Sequence, residues 1–329
     1  MSKPRIFVTR IIPQKGLDRV QTLSADYDIE VWPEPLPPAY EALIDKAPGL
    51  TGLVCLLTDT IDARLLAAIG PQLKVISQMA VGFDNIDVPA ATARGIPIGH
   101  TPGVLTDATA DFAWALLMSA ARRVVEGDKF TRAGKWKTWG PIDFLGPEVN
   151  GATLGLVGFG RIGQAVARRA AGFDMRILYY DVQRQPDAEK TCHAEYADLE
   201  TVLSQADFLS IHTVLSKDTY HAFDDAKLKL MKPSAVLINT SRGPVVDPAA
   251  LYRALRSGTI AYAALDVTEP EPIKMDDPLL TLDNIIIAPH IASASFTARN
   301  NMATMAAANL IAGLTGERLP NCVNPQVYS

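Results

Sequence analysis

His290 follows the apolar run Ile285-Ile286-Ile287-Ala288 and then Pro289, which stands it just past the carboxyl end of a predicted strand. An imidazole there can move a proton near neutral pH. Glu271 lies in Asp266-Val267-Thr268-Glu269-Pro270-Glu271-Pro272, an irregular stretch after another predicted strand, from which a carboxylate can reach that ring. Such a neighbour favours the charged imidazolium and orients it, as an acid that protonates an alkoxide requires. Arg242 comes third, in Asn239-Thr240-Ser241-Arg242-Gly243, beyond a third strand end. Its guanidinium can grip a carboxylate bidentately and polarise an adjacent keto oxygen. A surface salt bridge is the alternative reading for the arginine. Among the other histidines, His212 is the rival acid, because it ends the run Phe208-Leu209-Ser210-Ile211, but it is expected to sit beside a cofactor. His193 and His221 read as surface residues in polar surroundings, and His100 falls near a hinge.

The middle of the chain offers a place for a cofactor. Leu156-Val157-Gly158-Phe159-Gly160-Arg161-Ile162-Gly163 carries the G-x-G-x-x-G spacing, with Asp181 after a further seventeen residues. The string is common by chance and gains meaning only from context: a strand before it, a helix after it, and an acidic residue ending the next strand. Thr153 to Val157 reads as the strand, Ile162 to Ala171 as the helix, and Met175 to Tyr180 as the second strand, ending at Asp181. Gly158 then permits the tight turn, Gly160 lets a pyrophosphate approach the backbone, and Gly163 lets helix and strand pack closely. The helix N-terminus at Arg161 and Ile162 adds N–H groups and positive potential. Asp181 would accept from the ribose hydroxyls of NAD and repel a 2′-phosphate, so NADH is expected over NADPH. Arg184, three residues on, is the group that could meet the phosphate instead.

Elements that could position these residues alternate along the whole chain. Before the glycine loop, Arg5 to Thr9, Ile29 to Trp32, Leu53 to Leu57 and Lys74 to Gln78 read as strands, with helices over 14–23, 40–47 and 62–69. After it, Phe208 to His212, Ala235 to Asn239, Ala261 to Leu265 and Ile285 to Ala288 read as strands. Thr106 to Val125 reads as one long helix joining two domains, and Ser295 to Leu314 as a final helix. The expected class is α/β with two doubly wound parallel sheets: a Rossmann nucleotide-binding domain over 101–290, inserted into a flavodoxin-like substrate domain of 1–100 plus 291–329. A cleft between the domains would hold the ligands.

Composition narrows the partners. The chain has 329 residues, 48% of them hydrophobic, and a formal charge of −5, so no basic footprint for nucleic acid or an anionic membrane is expected. Three scattered cysteines, Cys55, Cys192 and Cys322, form no C-x-x-C pair, so neither a metal site nor a disulfide framework is expected. No signal-peptide core precedes Ile6-Phe7-Val8-Thr9, which fits a reduced, cytoplasmic setting.

The chain resembles the D-isomer-specific 2-hydroxy-acid dehydrogenases over almost its whole length. Four blocks carry the likeness: Met79-Ala80-Val81-Gly82-Phe83-Asp84-Asn85-Ile86-Asp87, the glycine loop with Asp181, Ser241-Arg242-Gly243, and Asp266 through His290. Thr101 through Asp111 and Ala120 through Glu126 look like the linking helix of that family's glyoxylate/hydroxypyruvate reductase subgroup. The resemblance implies that Arg242, Glu271 and His290 are the catalytic set. It also implies that Val81 and Gly82 offer N–H groups to the substrate carboxylate, and that Asp266 meets the nicotinamide, with Thr109, His212 and Thr240 counted among the cofactor contacts. Trp136 and Trp139 resemble an aromatic segment that reaches a partner subunit, so Trp139 is a candidate for narrowing the substrate mouth in a homodimer. The implied reaction is reduction of a short 2-oxo acid. Two other readings stay open: a dehydrogenase for a larger acid such as 3-phosphoglycerate, and an NAD(H)-sensing binding protein without turnover. One departure is Thr213-Val214 after His212, where the family usually has a proline.

Overall fold

The computed structural model describes residues 3–329, and within them every strand pairs in parallel. The first sheet contains β1 (Arg5–Val8), β2 (Asp28–Val31), β3 (Leu50–Cys55), β4 (Val75–Gln78) and β5 (Ile98–Gly99), in the order β2-β1-β3-β4-β5. All six residues of β3 are buried, as a central parallel strand covered on both faces requires. This is the flavodoxin-like order. The second sheet contains β6 (Thr153–Val157), β7 (Arg176–Tyr180), β8 (Ala194–Tyr196), β9 (Phe208–Ile211), β10 (Val236–Asn239), β11 (Tyr262–Leu265) and β12 (Ile285–Ile287). Its order, β12-β11-β10-β9-β6-β7-β8, steps outward on both sides of β6 and β9, which is the Rossmann arrangement with one strand added. The strand order reverses between β6 and β9, the kind of switch point outside which such sheets bind ligands.

The chain divides into two compact units, one from the N-terminus to Leu105 together with Ala294–Ser329, the other Thr106–Ser293. These limits lie a few residues beyond the positions 100/101 and 290/291 read from the sequence. In the first unit the helix Phe296–Thr315 is capped by Ser295, whose hydroxyl accepts from Ala298 N, and it buries Met302, Ala306 and Leu310. Met302 is thus a core residue.

The expected single helix from Thr106 to Val125 is two. One spans Thr106–Ala121, the other Val124–Arg132, and Arg123 between them adopts left-handed φ of 51°. The Arg123 guanidinium pairs with Glu126 at 2.5 Å and lies over the Phe144 ring. Both helices fall inside the second unit. There Trp114 Nε1 donates to Val166 O, and Arg169 pairs with Asp107 and Asp111, which anchors the first helix on the one that follows the glycine loop.

Among the described residues, no helix is long and apolar enough to cross a membrane, and no cluster of potential metal ligands occurs. The three cysteines are unpaired.

Candidate active site

The glycine loop joins β6 to the helix Arg161–Ala170. Gly158 has φ of 93°, and a Cβ there would meet the His212 carbonyl carbon at 2.6 Å, while one on Gly163 would meet Gly158 O at 2.3 Å. Only glycine fits either position. A Cβ on Gly160 would enter open space, so the backbone at this helix N-terminus stays approachable from outside. Phe159 is buried and stacked on Tyr179 at 3.9 Å, and its N–H donates to Asp181 Oδ2 at 2.6 Å. Asp181 therefore closes the loop from the end of β7. Arg161 is exposed and Ile162 half-buried at the start of the helix. These features fit a dinucleotide: a cradle that side chains would fill, a helix N-terminus, and a carboxylate at the second strand end.

Arg184 is exposed but already paired. It forms a two-pronged bond to Glu189 at 2.8 and 2.9 Å and lies over the Tyr196 ring. Bonds from Arg184 and from the Tyr179 hydroxyl hold the Glu189 carboxyl down to about 2.

β10, β11 and β12 end in register, Asn239 opposite Leu265 and Leu265 opposite Ile287. Their three following loops therefore leave the sheet side by side, and they carry Arg242, Glu271 and His290. Asn239 organises the first loop: its side chain donates to Arg242 O and accepts from both N and Oγ of Ser241. Arg242 Nη1 donates to Ser241 O at 2.9 Å. In the third loop His290 adopts left-handed φ of 54°, with its N–H donating to Asp266 O at 2.9 Å. Its Nδ1 meets Glu271 Oε1. Because a carboxylate accepts, Nδ1 carries the hydrogen, and Nε2 is left as the ring atom that can hold or release a proton.

Asp266 holds the third loop. Its two carboxylate oxygens accept from Ile291 N and Ala292 N, both at 2.7 Å, so the turn bearing His290 is pinned to the end of β11. Burial pushes this carboxyl up, against the pull of those two bonds. Sequence reasoning placed Asp266 at a cofactor and did not foresee the clamp. Nor did it single out Asn239. An amide and a carboxylate ending two adjacent buried strands were the available signals.

His212 donates its backbone N–H to Val157 O, and its ring nitrogen Nε2 lies 2.9 Å from Ser210 Oγ. Burial holds its imidazole down to about 4. Thr240 Oγ1 is buried without a hydrogen-bond partner, an orphaned donor at the end of β10 that suits a ligand's polar atom. Thr109 is buried on the helix Thr106–Ala121. Val81 and Gly82 belong to the other unit, where Gln78 Nε2 donates to Gly82 O and His100 Nδ1 lies 3.0 Å from Val81 O. Trp139 is 79% exposed in the second unit, in a stretch with Trp136, Ile142 and Leu145 also exposed. His193 is exposed as expected, whereas His221 is not a free surface residue: its Nε2 meets Glu269 Oε2 at 2.6 Å.

With glycine cradle, parallel strand order and a histidine–carboxylate pair in place, the class of protein follows. Residues 114–292 match the model of the D-isomer specific 2-hydroxyacid dehydrogenase NAD-binding domain, and the chain belongs to the D-isomer-specific 2-hydroxyacid dehydrogenase family. Within it, the chain is 54% identical to the glyoxylate reductase of Korarchaeum cryptofilum, over 99% of this chain and 97% of that one. Among solved structures it is similar to a glyoxylate reductase from Paecilomyes thermophila, at 31% identity and TM-score 0.87, covering 99% of this chain and 100% of that one. It is also similar to an NADPH-dependent glyoxylate/hydroxypyruvate reductase from Sinorhizobium meliloti solved with NADP and malonate, at 33% identity and TM-score 0.85, covering 98% of each chain.

Proposed function

We propose that this chain reduces short 2-oxo acids, glyoxylate and hydroxypyruvate, to the 2-hydroxy acids with a nicotinamide cofactor, NADH in preference to NADPH. The observation that carries the reading is the Arg242, Glu271 and His290 set on loops from three adjacent strand ends, with the His290–Glu271 bond already formed. Reduced nicotinamide, when bound, supplies a hydride to the substrate's C2. Arg242 binds the carboxylate and polarises the keto oxygen. Glu271 fixes the His290 ring, and Nε2 donates the proton that converts the developing alkoxide to a hydroxyl. Val81 and Gly82 are assigned to the substrate carboxylate, and Gly158 to Gly163, Asp181, Thr240, Asp266, His212 and Thr109 to the cofactor. The names of the similar reductases support the choice of substrates.

The cofactor preference is supported by Asp181, which keeps a carboxylate at the ribose end of β7, and by Arg184, which is already committed to Glu189. The first repels a 2′-phosphate, and the second offsets the charge that would attract one. A homodimer is supported by the exposed Trp136, Trp139, Ile142 and Leu145, a patch of the kind that marks interaction surfaces, and sedimentation would test it. Trp139 is the proposed reach into a partner's substrate mouth. The three unpaired cysteines support a reducing, cytoplasmic location, which cell fractionation would test.

One assay tests the substrate reading: oxidation of NADH, then NADPH, against glyoxylate, hydroxypyruvate, pyruvate and phosphohydroxypyruvate. The two short acids should give the highest kcat/KM. Turnover confined to phosphohydroxypyruvate, or absent with all four, would overturn it.

A further inference from the structure

We propose that His221 is a positioning residue for the Glu271–His290 pair: its imidazole anchors Glu269, and through it the loop that presents Glu271, to the segment that also holds the Arg242 loop. The inference rests on the reading of Glu271 and His290 as the proton-donor pair.

Residues 220–223 run alongside the chain that leaves Arg242. His221 N donates to Pro244 O at 2.7 Å, Phe223 N to Val245 O at 3.1 Å, and Asp247 N returns a bond to Phe223 O at 3.1 Å. Phe223 is buried and bridges to Val246 in parallel. The backbone of His221 is therefore fixed relative to the Arg242 loop. Its ring faces the other way in function, toward the Glu271 loop. Nε2 meets Glu269 Oε2 at 2.6 Å, and the neighbouring Tyr220 hydroxyl donates to Glu269 Oε1 at 3.2 Å, so both oxygens of Glu269 are engaged. The two rings stack at 4.0 Å with an interplanar angle of 14°.

Three features set this apart from an ordinary surface ion pair. His221 adopts left-handed φ of 49°, a conformation uncommon outside glycine. Only about a third of the His221 side chain and a quarter of Glu269 are exposed, so water screens the pair less than a surface contact. And the two loops already touch: a Cβ on Gly243, next to Arg242, would lie 1.9 Å from Thr268 O, next to Glu269. Glu271 is the more exposed end of the arrangement, at 38%. Its loop is fixed from Glu269, two residues earlier, and a carboxylate displaced by an ångström no longer holds the His290 ring in line.

Replacing the His221 side chain leaves its backbone bond to Pro244 intact. The Arg242 loop should stay in place while the Glu271 loop loosens, which separates kcat from KM. H221A should lower kcat about 10-fold with the KM values for glyoxylate and NADH within about 2-fold. E269A should do the same, and the H221A/E269A double variant should be no slower than either, because both remove one contact. H221Q, whose amide can still donate to Glu269, should recover most of the rate. The experiment is steady-state NADH oxidation with glyoxylate for these variants and E271Q, with thermal unfolding of each; if H221A does not fold, H221Q and E269A carry the comparison. A kcat for H221A or E269A within about 2-fold of the parent, beside a slowed E271Q, would overturn the anchor alone. Additive losses in the double variant would also overturn it. An E271Q that turns over at the parent rate would overturn the proton-donor reading, and the anchor with it.

Discussion

Two histidines occupy matching places at the carboxyl edge of the second sheet and have opposite surroundings. His212 comes one residue after β9, and His290 three residues after β12. The first turns its ring to the Ser210 hydroxyl, and the loss of hydration there holds the imidazole down to about 4. The second is half-exposed, set in a left-handed turn pinned by Asp266, with Nδ1 against a carboxylate. At neutral pH the first is a neutral ring with no proton to spare, while the second has the partner that a proton donor needs. Position past a strand end makes a residue available to a ligand. The partner on the far side of the ring decides what it can do there.

The largest effect that bears on this contrast comes from the group the two histidines would both have to serve. Arg242→Ala should lower kcat/KM for glyoxylate about 10³-fold, the upper range for removing a donor to a developing oxyanion. A loss below about 10-fold would mean that the β10 loop is not part of the reacting centre. Glu271→Gln should come next, lowering kcat about 10-fold while leaving His290 in place, since an amide keeps the shape and loses the charge that supports the imidazolium. If E271Q matched the parent, the distinction between the two rings would not rest on the carboxylate. Asp181→Ala should then change the ratio of kcat/KM for NADH over NADPH by about 10-fold toward NADPH, read by parallel titrations. It would leave the acid–base contrast untouched.

The smallest effect concerns stability and belongs to His212. An unfolded chain's imidazole takes a proton below about 6.5, the folded one only below about 4, so between those values the unfolded state binds more protons. Stability contributed by the neutral ring is complete above about 6.5 and is lost as pH falls toward 4. Urea unfolding across that window should show the decline in the parent and a flatter curve in His212→Gln. Equal slopes would mean that the folded chain does not disfavour the charged ring.

Much of this is legible in the sequence. The glycine loop, Asp181 and the strand-end positions of Arg242, Glu271 and His290 follow from short-range patterns: apolar runs that end at a polar residue, and spacing that only a tight turn satisfies. The break at Arg123 was not legible, because an alanine- and leucine-rich run continues into Val124 and Val125 without glycine or proline. The break is marked by the left-handed turn at Arg123, whose guanidinium lies over the distant Phe144 ring. β5 and β8, two and three residues long, are too short to show a period. The roles of Asp266, Glu189 and His221 escaped for one shared reason. Each is defined by a partner that the strand-end pattern does not supply, whether two backbone N–H groups, a guanidinium or a second glutamate.

The most direct test sets the two histidines side by side: kcat and KM for glyoxylate and NADH in His290→Gln and His212→Gln, measured at neutral pH. H290Q should lose about 10²-fold or more in kcat with KM for NADH little changed, as loss of a general acid requires. H212Q should move chiefly the KM for NADH and keep kcat within about 3-fold, since the ring it removes donates no proton. Near-full turnover by H290Q, or a loss in H212Q as deep as that in H290Q, would contradict the account.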